Sequence, residues 1–153
     1  MKQECLTKAA VLAEKGAYLL VTTAAFEGHP HVAPAARLEL SADKERIAVD
    51  AWFCPGTLEN LKANKKINVV VWDAILDNGY QLLGQWQGME DIALLNGHDA
   101  AQPEKTGLPQ VERRIRIRVE MVIPRRLHPK NHPLQSVLIP HRPRLHQKLL
   151  KPL

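Results

Sequence analysis

Val49-Asp50-Ala51-Trp52-Phe53-Cys54-Pro55-Gly56-Thr57-Leu58-Glu59-Asn60-Leu61-Lys62-Ala63-Asn64-Lys65-Lys66-Ile67-Asn68-Val69-Val70-Val71-Trp72-Asp73 sets an apolar strand, a Pro-Gly-Thr turn, a lysine-rich helix and a second apolar strand in direct succession. Read from its caps, the helix starts at Thr57, whose hydroxyl can accept from the free amides of the first turn, and runs to about Lys65. Leu58 and Leu61 supply its buried stripe, and Lys62, Lys65 and Lys66 meet the negative end of its dipole. The other end combines unsatisfied amides, the positive dipole end and a glycine that lets a ligand approach the backbone, which together suit a phosphate. A threonine that merely caps a connecting helix would leave the same trace.

Working outward toward the N-terminus, Leu6, Ala9, Ala10 and Ala13 recur at helical spacing, and Gly16 is placed to end that helix. Ala17 to Ala25 is an apolar, Val/Thr-rich strand, and Glu27-Gly28-His29-Pro30 turns the chain into an alternating strand from His31 to Leu40. Ser41 to Glu45 is a further turn, and Arg46 to Phe53 a third strand.

Toward the C-terminus, Ile67 to Trp72 reads as a strand buried on both faces, joined through Asp77-Asn78-Gly79 to a strand from Tyr80 to Met89. Ile92 to Asn96 suits a short helix, and Asp99 to Gln110 a polar exposed loop. Arg113 to Pro124 alternates, with Ile115, Ile117, Val119 and Met121 on one face and the arginines, Glu120 and Val122 on the other. Five or more mostly antiparallel strands with few helices imply a small closed barrel, because closure removes exposed edges. Beyond about residue 125, Pro129, Pro133, Pro140, Pro143 and Pro152 break regular structure, so residues 1–125 form the predicted barrel domain and 126–153 a basic Pro/His-rich extension packing on the barrel or a partner.

Composition excludes several classes of protein. The chain has 153 residues, enough for a real core, and its 45% hydrophobic and 24% charged residues are ordinary for a globular domain. No apolar run reaches the ~20 residues of a membrane span, and the polar N-terminus does not read as a secretory signal, so a cytoplasmic location is expected. Cys5 and Cys54 are too few for a disulfide framework. The net charge is +5, and from Arg113 onward eleven lysines and arginines stand against Glu120 as the sole acid, so the C-terminal part is more basic than the chain as a whole. Such a run suits an acidic partner or nucleic acid, or simply a solvated face. The histidines of the extension, His128, His132, His141 and His146, lack metal-ligand spacing, and no metal is expected.

The run from Gly28 to Leu40, G-H-P-H-V-A-P-A-A-R-L-E-L, followed by R-I-A-V-D-A-W-F and then T-L-E-N-L-K-A-N-K-K-I-N-V-V-V-W-D, resembles the pyridoxamine 5′-phosphate oxidase-like flavin-binding split barrels over about residues 16–88. That resemblance implies a mainly β fold, a six-stranded antiparallel split barrel with a few short helices, usually a homodimer with FMN at the interface. It implies cofactor contacts at Pro34, Ala35, Ala36 and Arg37 on the second strand, Ala51, Trp52 and Phe53 at the end of the third, Gly56, Thr57 and Asn60 at the helix start, and Gln81. Arg37 would reach the phosphate, or else pair with Glu39 or Glu45 on the surface. Trp52 would lie beside the ring, or serve as a core or interface aromatic.

The chain departs from the oxidases where they carry an Arg-Lys pair before the helix. Gly56 and Thr57 stand there instead, leaving Arg37, Lys62 or a partner chain to supply charge. Arg144-Leu145-His146 echoes an oxidase substrate motif without its surroundings. The expected function is an FMN-binding oxidoreductase or electron carrier, with the chemistry supplied by the cofactor, no catalytic side chain identified, and a small redox substrate or electron-transfer partner. The alternatives are a flavin-free barrel using its basic extension for an acidic partner or nucleic acid, and the same groove holding a deazaflavin or haem.

Overall fold

The computed structural model describes residues 1–52, 55–95 and 110–126. Its elements run α1 (Lys2–Glu14), β1 (Tyr18–Ala24), β2 (Pro30–Ala35), β3 (Arg37–Leu40), β4 (Arg46–Trp52), α2 (Pro55–Ala63), β5 (Lys66–Asp73), β6 (Asn78–Leu95) and β7 (Gln110–Arg125). All strand pairs are antiparallel, in the order β2-β1-β5-β6-β7-β4-β3. The expected six strands become seven because the strand from His31 to Leu40 breaks at Ala36. Its first half pairs with β1 and its second with β4. At the break, the Ala36 N–H donates to Asp50 O at 2.8 Å, so one bent strand joins the two ends of the sheet and makes it a split barrel.

The core follows from alternation. Leu19 and Val21, Ala33, Ile47 and Val49, Ile67, Val69 and Val71, Leu82, and Ile115 and Ile117 point inward and are buried. Helix α1 adds Leu6, Ala9, Ala10 and Leu12, and Gly16, at φ +93, turns the chain into β1 as its position predicted. Helix α2 packs on β1 and β2, with Leu61 fully buried. In β5 only one face is fully buried, since Asn68, Val70 and Trp72 are half-exposed. That strand is therefore one-sided, contrary to the expectation from its continuous apolar run.

Two further expectations are corrected. Ile92 belongs to β6, which continues to Leu95 against β7, so the short helix is absent there: cross-strand pairing outweighs a weak helical pattern. In β7 the inward face is Ile115, Ile117 and Val119, but Met121 is exposed and Val122 packs on the core. Leu83 pairs with Met121 and Gly84 with Val119, leaving Glu120 as the extra residue of a bulge that reverses the alternation. The expected loop from Asp99 to Gln110 lies almost wholly outside the described residues, as do Phe53, Cys54 and the extension beyond Arg126 with its proline, histidine and Arg144-Leu145-His146 features.

Candidate phosphate-binding site at the start of α2

Helix α2 begins at Pro55, two residues before the expected cap. Proline suits the first helical position because its fixed φ is already helical and its missing N–H would have had no partner. Thr57 is therefore the third residue of the helix and not its cap, and its partner in the buried stripe is Leu61, one turn on, with Leu58 only half-buried. The helix ends at Ala63, so Lys62 lies in its last turn while Lys65 and Lys66 lie beyond it. This start leaves the amides of Gly56 and Thr57 without acceptors inside the helix.

Two side-chain atoms at this end are buried and have no hydrogen-bond partner: Thr57 Oγ1, in a residue only 1% exposed, and His31 Nε2. His31 is the second residue of β2, paired opposite Thr23 of β1, and its ring lies against Gly56. A Cβ at Gly56 would stand 3.0 Å from His31 Cε1 and 3.2 Å from Nε2, so only glycine lets the imidazole approach the helix so closely. One turn further on, Asn60 Nδ2 donates to Thr23 Oγ1 at 3.0 Å, tying the helix to β1. Orphaned polar atoms of this kind are few in folded proteins and are ordinarily met by water, an ion or a ligand. A dianionic phosphate fits the set, with amides, a hydroxyl and an imidazole as donors.

The expected site residues separate into groups. Pro34, Ala35 and Ala36 lie at the β2–β3 bend, joined to β4 through the Ala36–Asp50 bond. Ala51 is fully buried and faces the core, while the β4 backbone ends at Trp52, opposite Glu112. The side chain of Trp52 and the whole of Phe53 lie outside the described residues. Gln81 stands apart from these on β6, separated from β4 by β7, and accepts from Arg125 Nη2 at 3.0 Å.

Arg37 lies on the outer face, 70% exposed, with Nε 3.9 Å from Asp50. Its partner is neither of the acids anticipated. Asp50, only 2% exposed, accepts from Arg114 Nε at 2.8 Å and Nη2 at 3.0 Å, and Arg114 also faces Glu39 at 3.6 Å. The hydrogen bonds it donates to Asp50 hold the Arg114 guanidinium above its ordinary range, with the Asp50 charge acting in the same direction. Asp50 and Arg114 are register partners on β4 and β7, and Asp50 and Arg37 on β4 and β3. The acid was hidden in sequence because residues 13 and 64 positions away meet it only through the sheet. His31 was likewise missed: it reads as the first residue of an alternating strand, and only the packing of α2 reveals what it faces.

A cavity of about 500 Å³ opens beside the other end of α2, lined by Thr22, Ala24, Asn64, Lys66, Leu83 and Met121 among others. It touches Thr23 but none of Gly56, Thr57 or His31, so it is not the phosphate site.

No protein-family model matches the chain, and no curated protein matches it in sequence. Solved structures do match. An FMN-binding protein from Syntrophomonas wolfei subsp. wolfei superposes with a TM-score of 0.58 at 18% identity, covering 84% of this chain and 91% of its own. A protein related to general stress protein 26 of B. subtilis, of the pyridoxinephosphate oxidase family, from Clostridium acetobutylicum, gives 0.55 at 19% identity, covering 82% and 90%. An F420 reductase gives 0.52 at 15%, covering 74% and 94%. What is shared at these identities is the fold: this chain has the split-barrel fold of these structures.

Proposed function

We propose that the protein binds FMN, with the phosphate at the start of α2, and acts as an oxidoreductase or electron carrier. The observation that carries this is the buried, unpartnered Thr57 hydroxyl on the first turn of α2, in a fold shared with an FMN-binding protein and an F420 reductase. When bound, the flavin supplies the electron-transfer chemistry. The chain supplies phosphate donors in the Gly56 and Thr57 amides and the Thr57 hydroxyl.

Titration of the purified protein with FMN tests the proposal. Quenched flavin fluorescence and perturbed visible bands, saturating at one FMN per chain, are expected. Unchanged spectra throughout the titration would sink the FMN assignment, and unchanged spectra with a deazaflavin as well would exclude flavins in general.

A homodimer belongs to this proposal. The outer face of β2, β1, β5, β6 and β7 carries apolar side chains, of which Val32, Leu20 and Met121 are exposed and Val70 and Leu83 half-exposed. Exposed apolar side chains gathered on one face of a sheet are a usual mark of an association site, and a second copy would cover them.

A further inference from the structure

We infer that His31 is the residue that selects for the ligand's phosphate, its Nε2–H donating to a phosphate oxygen in the place of a cationic side chain before the helix. The inference rests on the FMN proposal above and assigns its phosphate contact to a particular donor.

Three observations converge on His31. Neither of the chain's own expected cations is placed at the helix start. Arg37 is on the outer face beside the buried Asp50, which already holds Arg114. Lys62 is in the last turn of α2, seven residues after Pro55, which at 1.5 Å per residue is about 10 Å along the axis. By contrast, the His31 ring rests on the first turn itself, 3.0 to 3.4 Å from the position a Gly56 Cβ would take. Finally, His31 Nε2 is buried without a partner, and so is Thr57 Oγ1, on a residue 1% exposed. An imidazole N–H and a hydroxyl left unpaired on the first turn of one helix are complementary to an acceptor-rich anion, and each is costly to leave unsatisfied. The glycine that admits the ring shows that this approach is built into the backbone of α2.

The test compares FMN with riboflavin, which has the same ring system but no phosphate, by fluorescence quenching in the wild type, His31→Leu and His31→Gln. Binding of inorganic phosphate is followed in parallel through the ¹⁵Nε2 shift of His31. His31→Leu should weaken FMN by about tenfold or more, the scale of a hydrogen bond to a charged group, and leave riboflavin within about twofold. His31→Gln, which restores an N–H donor, should recover most of the loss. A phosphate-induced ¹⁵Nε2 shift should appear in the wild type and vanish when Thr57 is replaced by valine.

If FMN binds but His31→Leu weakens FMN and riboflavin equally, or neither, the phosphate role of His31 is wrong while the FMN proposal stands. If inorganic phosphate moves the His31 signal but no flavin binds, the anion site stands and the flavin assignment falls. Absence of both flavin binding and a phosphate shift overturns the two together.

Discussion

At the residue scale, the decisive side chains are those whose partners the fold supplies or withholds. Asp50 is buried on the outer face of β4 and compensated by Arg114 and Arg37, both register neighbours. Replacing it with asparagine removes the compensating charge and turns one of the two acceptor oxygens into a donor facing a partly buried guanidinium, and should cost about 2 kcal/mol in chemical denaturation, less than for a fully buried pair because Arg114 is 27% exposed. A loss under about 0.5 kcal/mol would show that solvent already screens the pair. Gly56 is the opposite case. Gly56→Ala improves helix propensity by up to about 1 kcal/mol, yet its Cβ must displace His31 by a few tenths of an ångström. The variant should keep or raise its melting temperature while losing FMN affinity, a separation that a purely structural glycine would not produce. Both residues stand in the stretch that was most informative as sequence. A glycine at the start of the helix was legible there, whereas the neighbours of Arg37 and His31 were not, because each of those neighbours is distant in the chain.

Turns and bulges decide the next scale. The β3–β4 turn is organised by Asp43, whose carboxylate accepts from the Ser41 hydroxyl, the Glu45 N–H and the Arg46 guanidinium. These bonds, the Ser41 hydroxyl first, hold the Asp43 carboxyl well below its usual range. A value depressed in the folded state adds stability above the unfolded carboxylate range and loses it as pH falls toward the folded value. Asp43→Asn should therefore be less stable than the wild type at neutral pH, with the gap closing as pH drops below about 4. Denaturation curves showing a pH-independent gap would refute that assignment. On β6, a Cβ at Gly84 would stand 2.2 Å from Arg118 O and 2.9 Å from Ile117 Cγ2. Backbone cannot yield as a flexible side chain does, so Gly84→Ala should cost about 2 kcal/mol or more by thermal or chemical unfolding. The β6–β7 bulge beside it explains why β7 was only half readable. Alternation correctly placed Ile115, Ile117 and Val119 inward, but periodicity carries no sign of an extra residue, and Met121 and Val122 came out reversed. Similarly, the threonine cap competed with a proline at the first helical position, and the proline prevailed.

For the molecule as a whole, closure through the bend at Ala36 turns a seven-strand ladder into a split barrel and brings the opening of β2 under α2. The same closure leaves apolar side chains exposed on the outer face. A Val32→Asp, Met121→Asp double variant should shift the species seen by light scattering from dimer to monomer without changing the far-UV circular dichroism. A wild type that is already monomeric at micromolar concentration would remove the dimer from the proposal. No helix among the described residues is long and apolar enough to cross a membrane. By itself, the sequence determined the mainly β barrel, the opening helix, the hairpins and the strand-turn-helix with its glycine, because local periodicity, turn residues and end signals are written in neighbouring positions. Only the tertiary structure decided that the second strand splits, that Arg37 serves Asp50, and that His31 meets Gly56. Those pairings join residues far apart in the chain, and their energies come from burial and register, which no local pattern encodes.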